Sequence, residues 1–478
     1  MTPSLGSLGA LLHLSLGITA WKTFGPDRWA VRANPSSGNL HPIEAYVLVQ
    51  DFPGLAPGVY HYRTEDHALE CRADFAGDQE AADAPRLAVG LSTILWREAW
   101  KYGERAFRYC ALDTGHAVGA LQYAAALLGW TIAEQPHIGS ASVAHALGLD
   151  RTNDFSTGRR LDTEREEPEM LLSLRCDGGE PPPLDLQDLR AAVARSHWAG
   201  AASAVDAHPM YRWPVLDDVA AATRTDDGTA HPRRPNTARK LRAPFPPQGP
   251  TRSAADVILG RRSAQRFDSG FWLDRNDFFG LLESVAAEVA GALARTHRID
   301  LVLFVHRVEG LDSGVYLLTR PGDGTPLAAR LASHFDVPRV AEAPASLDLR
   351  LIARIDNRAL ARLVREVHCR QDIAAHACVV AGLVAEFEAV IDADPAAYRW
   401  LHWEAGMLGH TLYLEAEARG LRGTGIGCFL DDVFHQLLEL SDSRFQTLYH
   451  FALGKAIDDA RIETKAARCP GFHEHEPR

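Results

Sequence analysis

Apolar positions along the chain fall into two kinds of run. The first kind is short and rich in β-branched and aromatic residues: Ala45-Tyr46-Val47-Leu48-Val49 near the start, and Leu301-Val302-Leu303-Phe304-Val305 far downstream. Each is followed by a loop and a second short run, Gly58-Val59-Tyr60 or Gly314-Val315-Tyr316, which predicts a strand, a turn and a second strand. The second kind is long, with small and apolar residues at helical spacing. Phe107-Arg108-Tyr109 leads to Asp113-Thr114-Gly115 and on through Leu121 to Gly129; Tyr398-Arg399-Trp400 leads to Glu404-Ala405-Gly406 and on through Leu412 to Gly420. Both end on a glycine suited to a helix C-terminus. The two sets align without a gap, so the chain contains one unit twice. Each copy reads as a sheet with long helices packed on it, an α+β arrangement.

Between the copies the character changes. Pro181-Pro182-Pro183 and the proline-rich stretch 244–250 are loop-like, 223–242 is polar and charged, and 184–198 suits a single helix. The expected organisation is a first domain over 1–178, a linker over 179–250, a second domain over 251–465 and a flexible tail over 466–478. A lid over an active site is the sharper reading of the linker.

Composition narrows the class. With 478 residues, 46% hydrophobic and 23% charged, the chain is a globular protein of more than one domain. A net charge of −12 argues against a nucleic-acid partner, which would require a basic face. The seven cysteines, at 71, 110, 176, 369, 378, 428 and 469, show no C-x-x-C spacing, so no zinc site and no disulfide frame are expected. The apolar start, 5–18, lacks a basic leader and a cleavage site, and no stretch reaches the roughly 18–20 apolar residues of a membrane span. The expectation is a cytoplasmic enzyme without membrane or metal.

Candidate chemistry concentrates in six places. The loop Arg32-Ala33-Asn34-Pro35-Ser36-Ser37-Gly38-Asn39-Leu40-His41 offers hydroxyls, fixed φ angles and bare amides, although ordinary turns use the same residues. Lys101-Tyr102 pairs an amine with a phenol, suited to acid–base work or simply to a helix entry. Arg261-Arg262-Ser263 supplies charge-assisted donors for a phosphate, or a solvated basic cluster. Gly423-Thr424-Gly425-Ile426-Gly427 exposes backbone amides, or merely stops a helix. Lys455 follows a strand and is a weaker candidate, as is the His-rich tail around Cys469 for adventitious metal.

Taken together, these motifs resemble the FMN-dependent nitroreductase superfamily, in the branch of the SagB-type (azoline-oxidising) dehydrogenases. The resemblance implies two tandem domains, each with a central, mainly antiparallel sheet flanked by helices, forming an intramolecular pseudo-dimer. It assigns FMN binding to Arg32, Pro35, Ser36, Ser37, Gly38, Asn39 and His41 of the first domain. In the second domain it assigns Arg261, Arg262, Ser263, Gly425, Ile426, Gly427 and Lys455 to the same cofactor. Lys101 and Tyr102 match the pair implicated in removing a substrate proton, whereas the second copy has Pro395-Ala396-Ala397 there. The first domain lacks the Arg-Arg-Ser motif, the sequence beginning already beyond that point, and the second lacks the Pro-Ser loop. One composite flavin site is therefore expected rather than two. The implied substrate is a small molecule or a peptide, with NAD(P)H or O2 as a redox partner, in a pseudo-dimeric monomer or a homodimer. An NAD(P)H-driven nitro- or quinone-reductase and a non-catalytic partner in a peptide-modifying complex are the rival readings.

Overall fold

A computed structural model describes residues 1–75, 85–154, 164–202, 210–228, 252–286, 292–295, 297–320 and 327–467. The proline run 244–250, most of the polar stretch before it, part of the alanine-rich segment 288–299 and the tail beyond 467 lie outside the described residues. The chain divides into two compact units. One comprises Met1–Pro232 with Ala292–Ala294 and Ala460–Arg478; the other comprises Arg233–Gly291 and Arg295–Asp459.

The first unit opens with helix α1 (Leu5–Leu16), capped by Ser4, whose side chain accepts the Ser7 amide while the Ser7 hydroxyl accepts the Ser4 amide. Strands β1 (Ile18–Phe24) and β2 (Asp27–Arg32) form a hairpin. The main sheet uses β3 (Ile43–Asp51), β4 (Gly58–Arg63), β5 (Ala68–Asp74), β6 (Arg86–Ile94), β7 (Thr131–Glu134), β8 (Glu166–Arg175) and β9 (His197–Trp198). Its order is β7-β8-β6-β3-β4-β5-β9 and every pairing is antiparallel. Helices α2 (Trp96–Tyr102) and α3 (Ala106–Leu127) follow β6, and α3 packs on β3 and β6. On the opposite face, α4 (Ser140–Leu147) and α5 (Leu186–Ala194) close a core built from Tyr46, Leu48, Val59, Ala88, Leu171, Val143, Leu147 and Leu189. The period-2 alternation of β3 is what divides its side chains between these two faces.

The segment expected as a linker thus contributes ordered elements to the first unit. Helix α5 carries core residues, β9 extends the sheet at β5, and α6 (Pro214–Ala222) starts on a proline at its first turn. Sequence reasoning placed a helix here but not its burial, because three prolines in front of it read as loop punctuation.

The second unit carries α7 (Ala254–Gly260), α8 (Arg275–Ala286), β10 (Ile299–Val305), β11 (Gly314–Thr319), α9 (Leu327–Ala332), β12 (Asp348–Arg354), α10 (Asn357–Val367), α11 (Asp372–His376), β13 (Val379–Glu386), α12 (Glu388–Ala393), α13 (Ala397–Ala418), β14 (Arg422–Ile426), α14 (Asp431–Leu437) and β15 (Phe445–Gly454). Its sheet runs β12-β11-β10-β13-β15-β14, again antiparallel throughout. Read from the other edge, this is the order β7-β8-β6-β3-β4-β5 of the first unit, strand for strand. The repeat extends to detail: Gly58 opens β4 opposite Val49, Gly314 opens β11 opposite Val305, and a Cβ on either would strike a neighbouring strand's carbonyl, Ala73 O or Ala353 O. One face of this sheet is covered by α9, α10 and α14 through Phe304, Leu317, Val380, Leu360, Val364 and Phe434. Helix α13 packs on β10, β14 and β15. The last strand, β16 (Glu463–Ala466), belongs with the first unit and pairs antiparallel with β1.

Candidate functional site

In the first unit the Pro-Ser loop is a tight, strained turn held by its own side chains. Gly38, Asn39 and His41 all have positive φ, at 57°, 61° and 52°, a region that costs most residues energy and suits glycine and asparagine best. Three contacts hold it. The Ser36 hydroxyl accepts the His41 amide at 2.8 Å, Asn39 Nδ2 donates to Ala30 O at 2.9 Å, and His41 Nε2 lies 3.1 Å from Asn39 Oδ1. Beneath the loop, Asp113 of α3 accepts the Ser37 amide and the Ser37 hydroxyl, both at 3.1 Å.

The loop and the Lys-Tyr pair meet at Gly38. A Cβ built there would strike Tyr102 Oη and lie 2.8 Å from Lys101 Nζ. Glycine suits this position by its φ of 57° and leaves the space to those two side-chain ends. Lys101 Nζ sits 5.1 Å from the Tyr102 ring centre, and that ring packs edge-on against Tyr109 of α3 at 4.7 Å. Helix α2 stops at Gly103 (φ 60°), directly after the pair.

Two buried acids support this corner. Burial pushes the Asp113 carboxyl up to about 7, with the Ser36 and Ser37 hydrogen bonds opposing the rise. Glu98, one turn before Tyr102 on α2, is fully buried, and neither carboxyl oxygen has a hydrogen-bond partner among the described residues. Burial, reinforced by Asp113 and opposed by Lys101, pushes it up to about 10, so it is a neutral acid at pH 7. Neither residue was a candidate from sequence. Asp113 gave a signal, as an acid within a small-residue helix; Glu98 gave none.

Arg32 and His41 also line a cavity of about 780 Å3, with Glu44, His61, Arg97 and Trp100 among its walls. Glu44 there is held at about 2: burial raises it, but Arg97, the His61 hydrogen bond and charge, and Arg32 together prevail. The same carboxylate accepts from His61 at 2.6 Å and from Arg97. Arg32 faces Glu65 at 3.7 Å. Pro35 is buried behind the turn.

In the second unit, the Arg-Arg-Ser motif follows α7 and is joined to the glycine strand β14 by the Ala264 amide, which donates to Gly423 O at 2.9 Å. Tyr413 of α13 connects the two motifs. Its hydroxyl accepts the Gly425 amide at 2.8 Å and lies 3.0 Å from the Ser263 hydroxyl, while Arg261 lies over its ring at 5.0 Å. A Cβ at Gly425 would collide with Tyr449 Oη. Arg262 donates to the carbonyls of Leu259 (2.9 Å) and Arg261 (2.6 Å), and burial together with Arg261 lowers it to about 10. Lys455 follows β15 at the surface and donates to Gly420 O at 3.0 Å. Ile426 is buried, and Gly427 ends the strand segment beside it. Tyr413, like Asp113 and Glu98, was no candidate from sequence; on a helix full of aromatic and apolar residues it read as core.

In the second unit two arginines and a serine suit a phosphate such as that of a flavin mononucleotide, and each unit has one glycine whose side-chain space is already filled, Gly38 in the first and Gly425 in the second. Among the described residues no group of three or more His, Cys, Asp or Glu side chains is placed to hold a metal ion, and no helix is long and apolar enough to cross a membrane.

The sequence model of the nitroreductase family matches residues 258–455, the body of the second unit. Over the whole chain the fold is similar to a crystal structure of a nitroreductase-type protein from Anabaena variabilis, with TM-score 0.67, 22% identity and coverage of 96% of this chain and 90% of that one. A Methanocaldococcus jannaschii protein named as a nitroreductase is 29% identical over 26% of this chain and 65% of its own length. The trifolitoxin-processing protein TfxB of Rhizobium leguminosarum is 31% identical over 29% of this chain and 43% of its own. The matches thus span 43–65% of the length of these curated relatives. The nitroreductase fold is present twice in this chain, and its resemblance to the superfamily and its SagB-type branch is borne out.

Proposed function

We propose that the protein is an FMN-dependent dehydrogenase of SagB type that oxidises a small or peptide-borne substrate. The observation that carries this reading is the meeting of Lys101 Nζ and Tyr102 Oη at Gly38, in the middle of the loop assigned to the flavin. When bound, FMN supplies a two-electron acceptor for a substrate hydride. In the second unit Arg261, Arg262 and Ser263 would hold its phosphate, with Lys455 adding positive charge and the Gly427 amide serving the ring, since Tyr413 already takes the Gly425 amide; in the first unit the Pro-Ser loop would serve the ring. The two motif sets are complementary, and one FMN per chain is the expected load. One member of the Lys101–Tyr102 pair in its base form, phenolate or neutral amine, receives the single proton that the substrate releases as its hydride departs. Glu98, neutral and buried beneath them, keeps a second negative charge out of the corner; Asp113 fixes the loop through Ser37.

Relatives named for trifolitoxin processing favour a peptide-borne substrate, and oxidation of an azoline ring to an azole is the case to test first. FMN-loaded protein is mixed anaerobically with an azoline-bearing peptide, and separately with NADH or NADPH. Bleaching of the flavin by the peptide, with loss of two hydrogens from it, is expected. Fast bleaching by a nicotinamide with turnover of a nitroarene, and none by the peptide, would instead make the protein a reductase.

A further inference from the structure

Seven scattered cysteines predict no disulfide, yet the fold of the second unit brings two of them together. Cys428 Sγ lies 2.7 Å from Cys369 Sγ, across 59 residues of chain, and both are thiols. That separation is about 0.7 Å longer than an S–S bond. Cys428 is exposed and Cys369 partly so, which gives a small oxidant access.

The loops that carry them are locked to each other. The Leu430 amide donates to Val367 O at 2.8 Å, and Gln371 Nε2 donates to both His368 O and Cys428 O at 3.0 Å. Next to each cysteine, His368 Nε2 meets His450 Nδ1 at 2.7 Å, and Phe429 stacks on the His450 ring at 4.2 Å. Cys369 and Arg370 are consecutive residues with positive φ, 54° and 60°. Two non-glycine residues in that region are costly and persist only where the surroundings enforce them. Here they turn the chain at the end of α10 so that the Cys369 thiol faces Cys428.

We propose that Cys369 and Cys428 form a redox-active dithiol that a peroxide closes to a disulfide. The Cys428 thiolate attacks one peroxide oxygen, breaking the O–O bond, releasing water and leaving a sulfenic acid. Cys369 Sγ then attacks that sulfur and displaces a second water. The two thiols lose two electrons and two protons in all, and hydrogen peroxide is reduced to two waters. The bond ties the residue after Gly427 to the end of α10. It thus constrains the strand end assigned above to the flavin, though its formation does not depend on that assignment.

Reduced full-length protein, freed of reductant, is treated with hydrogen peroxide, alkylated, digested with trypsin and weighed. The expected result is a cross-link between peptides 366–370 and 423–444, a loss of about 2 Da, reversible by dithiothreitol. Cys369→Ser removes the cross-link and leaves a Cys428 sulfenic acid that dimedone captures. Wild-type protein alone also decides the matter by differential alkylation. Recovery of both thiols free under conditions that oxidise the exposed Cys71 would overturn the proposal. So would cross-links of either residue to another cysteine in equal yield. Because the readout is mass and needs no cofactor, the bond forms or fails in FMN-free protein whatever that protein's affinity for FMN, so this proposal and the flavin reading stand or fall separately.

Discussion

Asp113 and Glu404 occupy the same position in two helices of 22 residues each, α3 and α13, yet their surroundings give them opposite chemistry. Asp113 receives only an amide and hydroxyls, and burial pushes its carboxyl up to about 7. Glu404 is buried too, but it accepts from Arg320 at 2.7 Å, from the Arg298 amide at 3.0 Å and from His297 at 3.3 Å. The His297 hydrogen bond and the Arg320 charge hold Glu404 below the ordinary glutamate value despite its burial. The same helix position thus serves as an ion-paired lock in one unit and as a titratable support for a strained loop in the other. Duplication kept the fold, and only the first copy kept a neutralisable acid under a glycine turn that faces a lysine and a tyrosine.

The largest effect should come from breaking the lock. Arg320→Ala leaves the Glu404 carboxylate buried without its guanidinium and frees the carbonyls of Val285 and Ile299, which Arg320 also binds. A loss of about 3–5 kcal/mol is expected in denaturant melts, partly recovered by adding Glu404→Gln. Next, Lys101→Ala or Tyr102→Phe should lower turnover about 100-fold or more while FMN content stays that of the wild type. A variant with full turnover would remove the pair from the mechanism. Asp113→Ala strands the Ser37 donors and should cost about 1–3 kcal/mol together with weaker FMN binding, whereas Asp113→Asn, which keeps an acceptor, should be milder.

The smallest effect is a difference in pH slope. Because Asp113 holds its proton in the fold to about 7 and releases it near 3.8 when unfolded, its contribution to stability is lost as pH rises through that interval. Glu98 acts in the same direction, toward about 10. Glu404, lowered, contributes above its ordinary value of 4.5, and that contribution is lost as pH falls through the folded value. Stability measured against pH should therefore fall less steeply toward neutrality in Asp113→Asn than in wild type. An unchanged slope would show that Asp113 is not the group responsible.

Much of this is legible in the sequence. The strand pairs Ala45–Val49 and Gly58–Tyr60, with their downstream copies, sit in matching places in two sheets of identical order, because alternation and a clear turn leave little freedom of register. Helices α3 and α13 start and stop at equivalent residues. The glycine loop and the Lys-Tyr pair were read separately; that they touch at Gly38 depends on a tertiary approach of α2 that no local pattern encodes. Glu98 and Tyr413 were illegible for a related reason. One is an acid whose importance lies in having no hydrogen-bond partner among the described residues, and the other is an aromatic whose importance lies in its hydroxyl. The Cys369–Cys428 contact spans too much sequence for spacing rules to find.

The most direct test of the central claim, that two like folds share one set of flavin-binding residues, is the amount of flavin released on denaturing the purified, FMN-saturated protein. About one FMN per chain is expected, falling toward none both in Arg261→Ala/Arg262→Ala and in Ser36→Ala/Ser37→Ala. Two per chain would mean each fold binds its own cofactor, and none at all with FMN in excess would contradict the flavin assignment outright.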